Sequence, residues 1–242
     1  MLNNDLETAS LERIVPDELT SGEATGSETL RLHLDRYRYA SSNLVPGTLL
    51  DMACGVGYGT ALLATNPVTT RALGVDISSA SVEYARTRYK SVNVTFLCAD
   101  AINFCSETRF ANIVSLETIE HVDEPQRLFA HLVSLLNPGG RLIASVPITP
   151  SVDANPHHKS NFTATRFRRM GAQHHLRYLD SMLQVQKFNP IAVARRREAR
   201  SVDLRHNLPL FYFRNPSHLA LRLWSTIRDG FVNKYLTVVW ER

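Results

Sequence analysis

The chain has 242 residues, 44% of them hydrophobic and 21% charged, with a formal net charge of +4 and a sequence pI near 9.1. This is enough apolar sequence for a full hydrophobic core in one domain or two. No run of about eighteen apolar residues occurs, and the first residues lack the basic flank and apolar block of a secretory signal. Cys54, Cys98 and Cys105 have no metal-site or disulfide spacing, so we expect a cytoplasmic protein without a membrane span.

Residues 1–45 are predicted to form an arm followed by a helix. Apolar residues give this helix a hydrophobic side, and Pro46-Gly47 would end it. The apolar residues of this side are Leu30, Leu32, Leu34, Tyr37 and Tyr39.

A glycine-rich turn follows the first apolar run, Thr48-Leu49-Leu50. The turn reads Asp51-Met52-Ala53-Cys54-Gly55-Val56-Gly57-Tyr58-Gly59 and leads into a helix-like segment. A strand that turns through glycines into a helix leaves backbone N–H groups bare and allows a ligand to approach closely. The spacing does not match a dinucleotide fingerprint that starts at Gly55, because Thr60 occupies the place of the third glycine.

Four more strands are predicted between residues 71 and 147, and the second, third and fourth each end in an acidic residue or are followed by one. The second strand, Arg71–Asp76, ends in an acid, and the third, Val94–Ala99, is followed by Asp100. The fourth is Phe110–Glu117, and an Asn137-Pro138-Gly139-Gly140 turn leads into the fifth. Strands that alternate with helical segments indicate an α/β layer structure.

These five ordered motifs resemble class I S-adenosylmethionine-dependent methyltransferases. The resemblance implies a seven-stranded, mostly parallel Rossmann-like sheet with helices on both faces. It implies that Asp76 binds the ribose hydroxyls of S-adenosyl-L-methionine, the methyl donor that leaves as S-adenosyl-L-homocysteine, and that Asp100 meets the adenine amine. The other cofactor-binding positions that it implies are Asp51, Ala53, Cys54, Gly55, Gly57, Ile77, Ala101 and Leu116.

A second constellation, Glu117-Thr118-Ile119-Glu120-His121, follows the fourth strand. In a helical turn Glu117, Glu120 and His121 would lie on one face, and the loop after strand five would add His158 at the same edge of the sheet. Carboxylates and imidazoles suit Mg²⁺, Mn²⁺ or a softer divalent ion. Without a metal, His121 or His158 would be the general base, or the segment would be a structural turn. The pattern resembles ubiquinone-pathway O-methyltransferases and enzymes that methylate the 3′ ends of small RNAs.

The second half of the chain is less regular. Strand six is expected at 183–188 or 191–193, and strand seven at 235–240. The long segment around 196–232 is expected to be an inserted lid or an interface, for example the contact of a homodimer. Basic residues cluster at 166–169 and 195–200. The second cluster contains no aromatic residue and the first contains only Phe167. Neither is interleaved with several aromatic side chains in the manner of a single-strand binder, so we expect solvated surfaces and no nucleic-acid partner.

The sequence thus predicts an N-terminal arm and helix (1–45) over the cofactor cleft and a single methyltransferase domain at 46–242. The expected reaction is O-methylation of a small molecule or saccharide. N-methylation of an amino-sugar or heterocycle, RNA 3′-end methylation and a silent binding module remain alternatives.

Overall fold

The structure, a computed structural model, describes residues 15–18, 24–187, 205 and 207–242. Several sequence predictions therefore lie outside the described residues. These are most of the arm before residue 24, the strand proposed at 191–193, the basic cluster at 195–200 and the beginning of the insertion at 196–232.

The described chain alternates between strands and helices. The strands are β1 (Gly47–Met52), β2 (Thr69–Asp76), β3 (Val94–Cys98), β4 (Phe110–Leu116), β5 (Leu136–Pro147), β6 (Arg177–Lys187) and β7 (Val232–Glu241). The helices are α1 (Ala24–Ser42), α2 (Tyr58–Ala64), α3 (Ser79–Arg88), α4 (Pro125–Ser134), α5 (Ala164–Gln173), α6 (Leu208–Arg214) and α7 (Pro216–Asp229). Short 3₁₀ turns occupy Pro16–Glu18 and Ile119–His121.

The seven strands form one sheet in the order β3-β2-β1-β4-β5-β7-β6. Strands β1 to β5 pair in parallel, whereas β7 is antiparallel to both β5 and β6. The predicted seven-stranded, mostly parallel sheet is confirmed. The strand order reverses between β1 and β4, and in open α/β sheets ligands bind outside the carboxyl ends of the strands at such a switch point.

Successive residues of the central strands face opposite sides of the sheet, and both sides are covered. Leu50 and Ile113 belong to the core under α4 and α5, whereas Leu49 and Val114 pack with α1 and α2 on the other face. Burial on both faces explains why these strands are continuous apolar runs in the sequence.

The strand predicted at 183–188 is the second half of β6, which begins six residues earlier at Arg177. Its first half escaped prediction because β6 lies at the edge of the sheet, and residues 177–182 neither alternate between polar and apolar nor form a continuous apolar run. The described residues of the predicted insertion form α6 and α7. Among the described residues, no helix is long and apolar enough to cross a membrane.

Candidate functional site

The glycine loop runs from the end of β1 to the start of α2. Its backbone is left-handed at Ala53, Gly55 and Gly57, with φ of 64°, 56° and 88°. A Cβ on Gly57 would lie 2.6 Å from Ala85 and 2.8 Å from the ring of Phe96, so a side chain is excluded there. A Cβ on Gly55 would meet nothing within 4 Å. The loop is therefore packed on its inner side at Gly57 and open at Gly55.

Asp76 fixes this loop from the end of β2. Its carboxylate accepts hydrogen bonds from the backbone N–H of Gly55 at 2.8 Å and of Ser78 at 2.9 Å. A carboxylate has about four lone-pair positions, so two such bonds leave it able to accept from a ligand. The neighbouring Ile77 is 70% exposed. Asp76 and Ile77 thus lie beside the open side of the loop.

The other acids and apolar positions predicted for the cofactor come from neighbouring strands. Asp100 follows β3 by two residues, and its carboxylate caps its own turn by accepting from the N–H of Ile102 at 3.2 Å. Ala101 is next to it, and Leu116 ends β4. Because β1 to β4 are parallel, all these positions lie at the same edge of the sheet.

Asp51 is buried, beneath helix α1. Its carboxylate accepts a hydrogen bond from Thr60 Oγ1 at 2.6 Å and weaker ones from the Tyr37 hydroxyl at 3.3 and 3.4 Å. Burial raises the pKa of Asp51 to about 7, while the Thr60 and Tyr37 hydrogen bonds act in the opposite direction. Gly59 makes room for this arrangement, because a Cβ there would lie 1.9 Å from the Tyr37 ring. Tyr37 was predicted only as a member of the apolar side of α1, and no spacing in the sequence indicated its contact with Asp51.

Glu117 does not join the predicted cluster of acids and histidines. Its backbone is left-handed, with φ of 52°, so it precedes the helical turn instead of belonging to it. Its carboxylate accepts from Ser145 Oγ at 2.6 Å and lies 3.9 Å from the guanidinium of Arg36. The prediction that Glu117 is a metal ligand together with Glu120, His121 and His158 is therefore wrong, because its side chain is held by β5 and α1.

Glu120, His121 and His158 do come together. Each offers a ligand atom within 4.8 Å of the others. The 3₁₀ turn supplies Glu120 and His121, and the loop after β5 supplies His158. That loop is held to the turn by hydrogen bonds from the N–H groups of Lys159 and Ser160 to the Glu120 carbonyl, at 2.7 and 3.2 Å.

The two imidazoles contact each other directly. The rings of His121 and His158 meet edge to face with centroids 4.6 Å apart, and His158 Nδ1 is 2.7 Å from Ser151 Oγ. The hydrogen bond at Nδ1 fixes the orientation of the His158 ring. The cluster can therefore hold a divalent ion or transfer a proton.

A buried ion pair connects the His158 loop to α7. Arg222 binds both carboxylate oxygens of Asp153, at 2.7 Å each, and donates to the Pro150 carbonyl at 2.6 Å. Tyr212 of α6 also donates to Asp153, at 2.6 Å. Although burial alone would raise it, the pKa of Asp153 is lowered by the hydrogen bonds from Arg222 and Tyr212. No pattern in the sequence indicates this group, because Tyr212 and Arg222 are 59 and 69 residues from Asp153 in the chain.

Comparison with known proteins agrees with the fold. Residues 49–140 match the model of a family described as a methyltransferase domain. Over 100 residues, 31% are identical to a ubiquinone biosynthesis O-methyltransferase of Coxiella burnetii, a match that covers 40% of this chain and 42% of that protein. The chain thus spans less than half the length of the curated relatives it matches.

Solved structures resemble most of the chain at low identity. The N-methyltransferase NodS of Bradyrhizobium japonicum, solved in complex with S-adenosyl-L-homocysteine, has a TM-score of 0.59 at 15% identity and covers 88% of this chain and 87% of its own. The [4+2]-cyclase SpnF has a TM-score of 0.61 at 17% identity, with coverages of 93% and 85%. At such identities the likeness shows the fold alone, and the reaction must be argued from the site.

Proposed function

We propose that this chain, whose residues 49–140 match the methyltransferase-domain family, transfers a methyl group from S-adenosyl-L-methionine to a hydroxyl group of a small molecule or saccharide. The observation that carries the proposal is Asp76, which holds the open end of the glycine loop at the switch point of the sheet. This combination offers a carboxylate to a ribose beside a backbone that a ligand can approach.

The reaction needs alignment and one proton acceptor. The acceptor oxygen forms a bond to the methyl carbon while the carbon–sulfur bond breaks, and its electron pair stays on sulfur as S-adenosyl-L-homocysteine leaves. The hydroxyl proton goes to a base. His158 and His121 lie at the same edge of the sheet as the glycine loop, and an imidazole accepts a proton near neutral pH.

A divalent metal is the second possibility at this cluster. Bond lengths of about 2.0–2.2 Å allow two ligand atoms at most about 4.4 Å apart, so the observed limit of 4.8 Å needs only a small closure of the side chains. Glu120, His121 and His158 would then hold the ion. Bound Mg²⁺ or a softer ion would lower the pKa of the acceptor hydroxyl and orient it.

Other acceptors remain open. The O-methyltransferase relative and the N-methyltransferase neighbour differ in the atom they methylate, so N-methylation of an amino-sugar or heterocycle is the main alternative. RNA 3′-end methylation is less favoured, because the basic cluster at 195–200 lacks interleaved aromatics. A silent binding module would bind the cofactor and give no product.

The first test is cofactor binding to Asp76→Ala. Removing charge-assisted hydrogen bonds of about 1.5–3 kcal/mol each should weaken the affinity for S-adenosyl-L-homocysteine by at least tenfold in calorimetry. Glu107→Ala removes an exposed acid elsewhere and should bind like wild type. Equal affinities for both variants would refute the cofactor site.

The second test separates base from metal with labelled S-adenosylmethionine and a panel of hydroxyl and amine acceptors. If the site works without metal, chelator has no effect and His158→Ala loses about 10²- to 10⁴-fold in rate. If it works with metal, chelator abolishes turnover and Mg²⁺ or Mn²⁺ restores it. Normal turnover after chelation and in both His121→Ala and His158→Ala would leave the cluster a structural turn.

A further inference from the structure

Helix α7 is oriented with its polar side toward the protein and its apolar side toward solvent. Its inward side carries Arg222, bonded to Asp153, the buried Ser225, and Asp229, which pairs with Lys234 at 2.8 Å. A surface helix of a globular protein normally has the opposite polarity. The reversed orientation is fixed, because Arg222 binds Asp153 through two hydrogen bonds.

The outward face is broad and strongly apolar. Ile227 is 81% exposed and Trp224 64% exposed, and Phe213 of the adjoining α6 is 86% exposed. The remaining exposed apolar residues of the two helices are Leu210, Leu219, Leu221 and Leu223. Contiguous apolar surface of this kind on a protein marks an interaction site.

The positive charge of the chain is concentrated in the part of the sequence that contains these two helices. Residues 188–234 contain nine Lys or Arg and three Asp or Glu, a net charge of +6, so the rest of the chain, with eighteen and twenty, carries −2. Exposed Arg214 and Arg228 belong to the described residues of this segment. Two such segments facing each other in a dimer would repel, whereas an anionic surface would attract them.

We propose that the apolar face of α7, with Phe213, docks onto an anionic phospholipid surface. A helix with Trp, Leu and Ile on one side and Arg around it lies in the interfacial plane of a bilayer, with its apolar side in the acyl boundary and its cations near the headgroups. Because α7 is bonded to the loop that carries His158, docking would bring the carboxyl edge of the sheet close to the membrane. The inference does not depend on the proposed methyl transfer.

Cosedimentation with vesicles tests the proposal directly. The full chain should sediment with phosphatidylcholine vesicles that contain phosphatidylglycerol, and less so as salt is raised. Ile227→Glu should reduce the bound fraction on the order of tenfold. Val92→Glu makes the same kind of change at an exposed apolar residue outside α7 and should bind like wild type.

Tryptophan emission of the wild-type chain gives a second, independent readout. The chain has two tryptophans, and Trp240 is buried while Trp224 is exposed. Anionic vesicles should shift the emission of the wild-type chain to shorter wavelength. Trp224→Phe should abolish this shift, and its circular dichroism spectrum should match that of wild type.

Three results would overturn the proposal. One is the absence of both sedimentation and an emission shift. Another is equal binding to neutral and anionic vesicles. The third is a wild-type dimer in sedimentation velocity that Ile227→Glu dissociates while vesicles bind no protein, because the face would then be covered by a second copy.

Discussion

Replacing Asp51 by Asn tests whether the buried carboxyl group destabilises the protein without ligand. Asn has the same shape, can accept the hydrogen bond from Thr60, and can donate to the Tyr37 hydroxyl in place of accepting from it. The substitution therefore removes the negative charge and keeps both contacts. Its effect on stability should depend on pH in a way that follows from the raised pKa of Asp51.

The magnitude follows from the difference between the folded and unfolded pKa. Burial raises the pKa from 3.8 to about 7, so the folded protein holds this proton more tightly than the unfolded chain. The stabilisation is fully present below pH 4 and is lost as the pH rises through 7. At about 1.4 kcal/mol per unit, roughly three units correspond to about 4 kcal/mol between pH 3 and pH 8.

The assay is urea unfolding at a series of pH values without cofactor. Wild type should lose up to about 4 kcal/mol from this group between pH 4 and pH 8, and the difference between wild type and Asp51→Asn should grow in favour of the variant over that range. Asp229→Asn is a control with the opposite sign. Hydrogen bonds from Arg228 and Lys234 lower the pKa of Asp229 to about 2, so above pH 4 this variant should be less stable than wild type. A pH-independent difference between wild type and Asp51→Asn would refute the reasoning.

Two further substitutions test local packing. Gly57→Ala should destabilise the fold by about 1–3 kcal/mol and weaken cofactor binding, because the added Cβ meets Ala85 and Phe96 at a φ of 88°. Gly139 is also left-handed but faces open space, so Gly139→Ala should destabilise less. Equal urea midpoints for the two variants would contradict the clash at Gly57. Arg222→Met should leave Asp153 buried without its cation and lower the free energy of unfolding by about 3–5 kcal/mol. Proteolysis within 207–229 should become faster, while the affinity for S-adenosyl-L-homocysteine stays unchanged. Wild-type stability of this variant would disprove that the Asp153–Arg222 pair holds α7 in place.

The sequence predicted the sheet well and the side-chain contacts less well. Apolar runs ending in Asp76 and Asp100 gave the strands and their carboxyl edge, because burial on both faces leaves a continuous hydrophobic signal. Glu117 was misassigned because the i, i+3 spacing assumes a helix, whereas its left-handed backbone turns the side chain toward Ser145. The Asp153–Arg222 pair joins residues far apart in the chain, and no periodicity encodes such a contact.

Adjacent residues of α1 reach the ends of both strands that flank the switch point. Arg36, 2% exposed, lies 3.9 Å from Glu117 after β4, while Tyr37 lies over Asp51 at the end of β1. The charge of Glu117 is partly compensated by the Arg36 guanidinium. Asp51 accepts hydrogen bonds only from the hydroxyl groups of Thr60 and Tyr37, and its pKa stays raised. A positively charged ligand beside Asp51 would favour its ionised form, as a neighbouring opposite charge does. S-adenosylmethionine, the proposed cofactor, carries such a charge on sulfur. Below pH 7, binding of this cofactor would then release the proton of Asp51. It would also offset the destabilisation that the ionised carboxylate causes in the unliganded protein. This is a physical reason to keep a destabilising acid in a cofactor loop.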